Sequence, residues 1–255
     1  MIPTDEVFRE YFKGHPQLAV ALSGGADSSY LTYLTARYCA KTQAYFIRTP
    51  LVRDSDLFDA WKVCAKFDVK FTILELDPLK EELIAANGPE RCYHCKKLVF
   101  NALLNLVRSD GFDELADGTN ASDDGSTRPG MRALAELCVL SPLKELGLCK
   151  QDVREASAQA GLFTARKPSS ACLATRFPCN TRLTEAGLAL AARCEEQIAA
   201  LGFTGFRVRC EGESARLELT AEDWPRAIEL REKILAALQE SFKHVCLDLK
   251  FRQNS

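Results

Sequence analysis

The 255-residue chain has no run of about 18 apolar residues, so nothing in it reads as a transmembrane helix. Its opening, Met1-Ile2-Pro3-Thr4-Asp5-Glu6, is acidic and lacks the apolar stretch of a signal peptide. These two absences predict a cytoplasmic protein with no membrane partner. Net charge is also scarce: a formal value of -2 gives no general electrostatic reason to expect nucleic acid, although it leaves room for local basic patches. No internal repeat or low-complexity tract occurs. What remains, at 47% hydrophobic and 27% charged, is a chain that can bury a full core as one large domain or two smaller ones.

Cysteine, by contrast, is abundant. Without an export signal, eleven cysteines read as reduced thiols, metal ligands or catalytic groups and not as a disulfide framework. Cys39, Cys64, Cys138, Cys149, Cys210 and Cys246 lie in apolar patterns, where cysteine acts as a small hydrophobe. Cys92, Cys95, Cys172, Cys179 and Cys194 stand apart.

Short apolar runs alternate with longer amphipathic ones through the first two thirds of the chain. Residues 18–22, 43–47, 71–74, 114–117 and 138–140 read as strands, and residues 28–39, 54–67, 96–109 and 151–160 as helices. This rhythm predicts an α/β fold, a parallel sheet with helices on both faces and ligands at the carboxyl ends of the strands. It stops in a loop rich in Pro, Ser and Cys. A helix at 184–201, strands at 206–210 and 215–219, a helix at 222–240 and a strand at 245–251 then predict a small α+β unit. The expected domains are 1–165 and 166–255.

Between the first strand and helix lies Ser23-Gly24-Gly25-Ala26-Asp27-Ser28-Ser29. Two glycines let backbone approach an anion, and the unpaired N–H groups of a helix start point at it. Ser23, Ser28 and Ser29 add hydroxyls, and Asp27 supplies a carboxylate suited to Mg2+ on phosphate oxygens. The segment has neither the Lys-Ser/Thr ending of a Walker A loop nor G-x-G-x-x-G. Asp117, Thr119 and Asn120, with Asp123 and Asp124, follow another strand and suit contact with ATP or magnesium, or form an Asx-rich turn.

The SGGxDS segment resembles the signature of the PP-loop ATP pyrophosphatases. Further motifs follow in order: Arg91-Cys92-Tyr93-His94-Cys95-Lys96-Lys97, Asp117-Gly118-Thr119-Asn120, Arg128-Pro129-Gly130, Ser141-Pro142-Leu143, Lys167-Pro168-Ser169-Ser170-Ala171-Cys172-Leu173-Ala174-Thr175-Arg176-Phe177-Pro178 and Arg207-Val208-Arg209. Together they resemble the LarE family, ATP-dependent sacrificial sulfur transferases of nickel-pincer nucleotide biosynthesis. The resemblance implies that ATP adenylates a carboxylate of pyridinium-3,5-biscarboxylic acid mononucleotide, releasing pyrophosphate, and that sulfur then gives a thiocarboxylate. It implies Arg207 and Arg209 as the holders of the substrate phosphate and Ile47, beside Phe46, near adenine. A homo-oligomer, with a hexamer as one form, is implied as well. Other PP-loop enzymes, a tRNA thiolase or an amide-forming synthetase, and a non-enzymatic iron-sulfur protein are the rival readings.

This resemblance allows two sulfur sources, and the second is the expected one, because Cys172, Cys179 and Cys194 would supply three thiolates. One is the enzyme's own cysteine, matched by Cys172, which ends as dehydroalanine. The other is a four-iron four-sulfur (4Fe-4S) cluster on Cys172, Cys179 and Cys194, whose open iron would carry the donor sulfide. A thiolate attacking an acyl-adenylate needs cationic neighbours, and Lys167 and Arg176 are close in sequence. The single Cys92-x-x-Cys95 lacks the four ligands of a structural zinc site and reads as a family marker or simply a helix start.

Overall fold

The computed structural model describes residues 2–123, 129–169 and 171–252. Asp124, Arg128 and Ser170, named above in motifs, lie outside them. The chain forms two compact units. The first comprises residues 1–49, 54–78 and 90–167, and the second residues 50–53, 79–89 and 168–255, so the second unit draws two short segments from within the first unit's sequence.

In the first unit the elements run α1 (Asp5–Lys13), β1 (Gln17–Ala21), α2 (Ala26–Tyr38), β2 (Lys41–Arg48), α3 (Asp54–Phe67) and β3 (Lys70–Glu75). After α4 (Glu82–Ala85) of the second unit come α5 (Arg91–Ser109), β4 (Leu115–Asp117), α6 (Pro129–Glu136), α7 (Pro142–Glu145) and α8 (Lys150–Gln159). The four strands are parallel in the order β3-β2-β1-β4. Alternation along β1 separates two cores: Leu18 and Val20 pack with Tyr30, Leu31, Leu34 and Val153, while Ala19 packs with Leu103, Val107 and Leu115. Helices therefore cover both faces, as the rhythm of the sequence requires. The order also puts the carboxyl ends of β1 and β4 side by side.

The second unit contains α9 (Glu185–Ala200), β5 (Arg207–Glu211), β6 (Ser214–Glu218), α10 (Trp224–Glu229), α11 (Arg231–Leu238) and β7 (His244–Leu247). Its sheet runs β5-β6-β7, antiparallel then parallel. The hydroxyl oxygen of Thr184 caps α9 by accepting from Gly187 N at 3.1 Å. A separate core joins Ala191, Cys194 and Ile198 of α9 to Val208 and Cys210 of β5.

Three sequence expectations are corrected. Residues 138–140 form no strand; Leu140 makes a single parallel bridge to Ala116, and Cys138 has φ 53°, left-handed backbone that ends extended pairing. The helix expected at 222–240 is two, broken at Leu230, which leaves helical geometry at φ -93°, ψ 15°. The last strand stops at Leu247, where Asp248 turns the chain by accepting from Lys250 N at 2.9 Å. No helix among the described residues is long and apolar enough to cross a membrane.

Candidate active site

The turn after β1 is defined by close packing. Gly24 has φ +73°, and a Cβ there would stand 2.2 Å from the Asp56 carbonyl oxygen, so α3 seats directly on the turn and only glycine fits. A Cβ at Gly118 would stand 2.6 Å from Ser28 N, which brings the turn after β4 against the first turn of α2. The two strand-end segments singled out in the sequence thus meet at one rim.

The hydroxyls at this rim have divided tasks. Ser29 is fully buried and donates to Gly25 O at 2.6 Å, closing the turn, and the Ser23 and Ser28 hydroxyls lie 3.0 Å apart. Ser23 is the exposed one. Thr119, expected at ATP, is buried, and its hydroxyl and N–H both donate to the Asp117 carboxylate, at 2.7 and 3.2 Å. Ser141 donates to the same carboxylate at 2.9 Å. Asp117 and Thr119 therefore shape the turn, while Asn120 hydrogen-bonds Asp27. Ile47, half-buried at the end of β2, keeps an accessible edge, whereas Phe46 is buried and packs on Phe71.

Asp27 carries the sharpest signal in this unit. Its Oδ1 is buried without a hydrogen-bond partner. Burial pushes the carboxyl above its ordinary pKa; the charge of Asp123 adds to this, and Lys150, Asn120 and Arg154 oppose it. A hard divalent cation relieves both the orphaned oxygen and the crowding of two carboxylates, so these residues fit Mg2+. Lys167 does reach the glycine turn. It donates to Gly24 O at 2.9 Å, but its ammonium is also held by Asp56 at 2.9 Å and Asp59 at 2.6 Å, which makes it a strut and not a free cation.

In the second unit Cys172 opens the 3-10 turn Leu173–Arg176 and is half-buried. Arg176, which the sequence placed beside the thiol as a charge, is completely buried and forks onto Glu195, Nε to Oε1 at 2.7 Å and Nη2 to Oε2 at 3.0 Å. Its Nη1 reaches the carbonyls of Ala171 at 3.3 Å and Cys172 at 3.5 Å. Arg176 thus fixes the backbone that presents the thiol. Glu195 also accepts from Arg53 at 2.5 Å and from Val208 N at 3.2 Å. Burial raises its pKa, but Arg176 and Arg53 outweigh burial, and the net direction is down.

Arg207 and Arg209 alternate on β5 and share a face, while Val208 and Cys210 enter the core. Their environments differ. Arg209 is forked onto Glu218 at 2.8 and 2.9 Å and donates to the Thr175 carbonyl. Arg207 is buried, donates to the carbonyls of Phe206 and Ser169, and makes no ion pair among the described residues. Burial, then the charges of Arg176 and Arg252, lower its pKa to about 10, so it is cationic at neutral pH and short of a counter-charge. Glu195, Glu218 and Arg53 carried no local motif; their part emerges only when tertiary pairing is seen.

The three cysteines of the candidate cluster are not brought together. Cys194 is wholly buried in the apolar core of the second unit, where burial raises its thiol pKa. Cys210, in the same core, is pushed up to about 12 by burial first and by Cys194 second. Cys179 is exposed on a loop pinned to residue 87, its Sγ 3.5 Å from Asn87 O. No group of three or more metal-ligating side chains forms among the described residues. This arrangement does not fit the 4Fe-4S cluster expected from the sequence, because Cys194 is packed in an apolar core. Cys92 and Cys95 lie in the first two turns of α5, exposed and half-buried.

No protein-family model matches the chain. An uncharacterized protein of Methanocaldococcus jannaschii is 30% identical over 243 residues, covering 95% of this chain and 92% of the relative. The pyridinium-3,5-bisthiocarboxylic acid mononucleotide synthase of Lactiplantibacillus plantarum is 28% identical over 236 residues, 91% of this chain and 86% of that enzyme. A tRNA-specific 2-thiouridylase, MnmA, of Thermotoga petrophila is 25% identical over 196 residues, 60% of this chain and 55% of the relative.

Proposed function

We propose that this chain, which belongs to the LarE family of the PP-loop superfamily, uses ATP to adenylate a carboxylate of pyridinium-3,5-biscarboxylic acid mononucleotide and converts it to a thiocarboxylate with the sulfur of Cys172. In the first step a carboxylate oxygen attacks the α-phosphorus of ATP, the bond to the bridging oxygen breaks, and pyrophosphate leaves. The glycine turn and the start of α2 offer N–H groups to the phosphates. Mg2+ held by Asp27 would offset the negative charge that builds on the departing pyrophosphate.

In the second step the Cys172 thiolate attacks the acyl carbon and AMP leaves with the bonding pair, giving a thioester. Removal of the Cys172 α-proton then expels the thiocarboxylate, as the Cβ–S bond breaks and dehydroalanine remains. Arg176 holds the carbonyls on both sides of the Cys172 peptide link, which fixes the thiol during attack. A homo-oligomer acting in the cytoplasm completes the reading.

The observation that carries the proposal is Arg207. It is a buried guanidinium with no ion pair among the described residues, and its donor to Ser169 O ties it to the segment that leads into Cys172. A phosphate monoester supplies the missing charge, so one ligand would bring its phosphate to Arg207 and its carboxylate toward the thiol. Mass spectrometry after anaerobic turnover with ATP, Mg2+ and the biscarboxylate mononucleotide tests this. The expected result is a loss of about 34 Da, the mass of hydrogen sulfide, localised to Cys172. An unmodified chain that turns over repeatedly with added sulfide would overturn the assignment of the sulfur source.

A further inference from the structure

The rim occupied by Asp27 has a second wall that the motifs do not name. Leu148 O accepts from Ala121 N at 2.8 Å, and Lys150 N donates to Ser122 Oγ at 3.0 Å, so the start of α8 is stitched to the turn that carries Asn120. Asn120 in turn bonds Asp27 at the start of α2. Helices α2 and α8 pack together through Leu31, Leu34, Val153 and Ala156. Both helices therefore open toward the same rim. Lys150 and Arg154, four residues apart, lie on one face of α8.

Arg154 is the member of that face with unfinished chemistry. Its Nε is buried and has no hydrogen-bond partner. Asp27 Oδ1 is buried and unpartnered too. The charges of both Arg154 and Lys150 are felt at Asp27. A buried guanidinium nitrogen left open costs free energy unless an acceptor arrives, and the Asp27 oxygen is left open in the same way. A polyphosphate with its magnesium ion satisfies both at once, since the anion supplies acceptors and the cation takes the carboxylate.

We propose that Arg154, aided by Lys150, binds the β- and γ-phosphates of a nucleoside triphosphate and retains them as pyrophosphate after the bond to the α-phosphate breaks. The proposal rests on the reading of the glycine turn as an ATP site, and assigns α8 the leaving-group half of it. AMP, which lacks those phosphates, gains nothing from Arg154.

Calorimetric titration of full-length wild type, Arg154→Gln, Arg154→Lys and Lys150→Gln with Mg2+–ATP, Mg2+–pyrophosphate and AMP tests this, with thermal melting as a check on folding. Arg154→Gln should weaken ATP and pyrophosphate by about tenfold or more while AMP affinity stays within about twofold, as loss of a charge-assisted contact predicts. Arg154→Lys should recover part of the loss, and Lys150→Gln should show the same selectivity at smaller size. Wild-type affinities for all three ligands in Arg154→Gln and Lys150→Gln would overturn this proposal alone. Equal weakening of AMP and pyrophosphate would overturn it as well, since that marks a structural role. Failure of the wild type to bind ATP would overturn the ATP reading itself, and this proposal with it.

Discussion

The glycine turn of the first unit and the arginine cluster of the second present positive potential in opposite ways. In the turn it comes from backbone: N–H groups at the start of α2, with Gly24 at φ +73° and no room for a Cβ. In the cluster it comes from side chains, with Arg53, Arg176, Arg207 and Arg209 gathered around Glu195 and Glu218. Backbone donors need little desolvation and no counter-charge. A buried guanidinium must be neutralised, and among the described residues every arginine of the cluster but Arg207 pairs with a carboxylate, Arg53 and Arg176 sharing Glu195. The first design depends on shape and the second on charge balance.

The largest effects should come from breaking each device in its own currency. Gly24→Val places a side chain against the Asp56 carbonyl and forces a left-handed β-branched residue, so ATP-dependent pyrophosphate release should fall to background. A pyrophosphate assay and a melting curve check this together. Asp27→Asn should also abolish release, but here the apo protein should melt higher. The reason is that burial raises the Asp27 pKa, so the ionised form destabilises the empty fold at neutral pH and its removal relieves the fold.

Glu195→Gln attacks the charge design. It leaves Arg176 buried without its carboxylate, and an unfolding free energy lower by about 3–5 kcal/mol is expected in denaturant titration. The pH dependence has a defined sign. The folded Glu195 pKa lies below its ordinary 4.5, so its contribution is complete above that value and fades as pH falls through the folded one. The variant should lose that part of the acid limb of the stability curve.

Substitution of the two β5 arginines sharpens the contrast within the cluster. Arg207→Ala should weaken the mononucleotide about 100-fold and leave ATP affinity unchanged, because it removes a guanidinium whose charge is open to a ligand. Arg209→Ala should instead lower stability, since Glu218 loses its forked partner. Titration of both ligands beside a melt separates the two. Equal loss of mononucleotide and ATP in Arg207→Ala would count against a phosphate role.

The difference in materials also explains what could be read from the chain. The β-α alternation is a matter of local apolar periodicity, and so the parallel sheet was legible, as was the turn at residues 23–29, because glycine and serine announce backbone geometry. Strand 138–140 failed because a left-handed Cys138 overrides an apolar run. In the second unit Arg207 and Arg209 look alike in sequence. Which is neutral and which is open depends on Glu218 across the sheet and on Glu195 from α9, and neither has a local signature. Lys167 and Arg176 were placed near the right segments but given the wrong task, since sequence proximity to Cys172 does not reveal the carboxylates that claim them. Arg154 and Lys150 went unnoticed because a lone cation on a helix face looks solvated until its neighbours are known.

The smallest effect expected is at Cys194, and it bears on where the sulfur comes from. Its thiol fills space between Ala191, Ile198 and Val208, so Cys194→Ala removes one buried sulfur atom and should cost roughly 1–2 kcal/mol through the cavity left behind. Sulfur transfer should continue in a single turnover per chain, with dehydroalanine again at Cys172, because a packed thiol has no part in that chemistry. Cys179→Ser should likewise remain active, its Sγ contact with Asn87 O being replaceable by a hydroxyl. Loss of transfer in both variants, with folding intact by circular dichroism, would mean that the three thiols act together. The core around α9 would then have to open to release Cys194, and the separation of the arginine cluster from the apolar core of the second unit would fail.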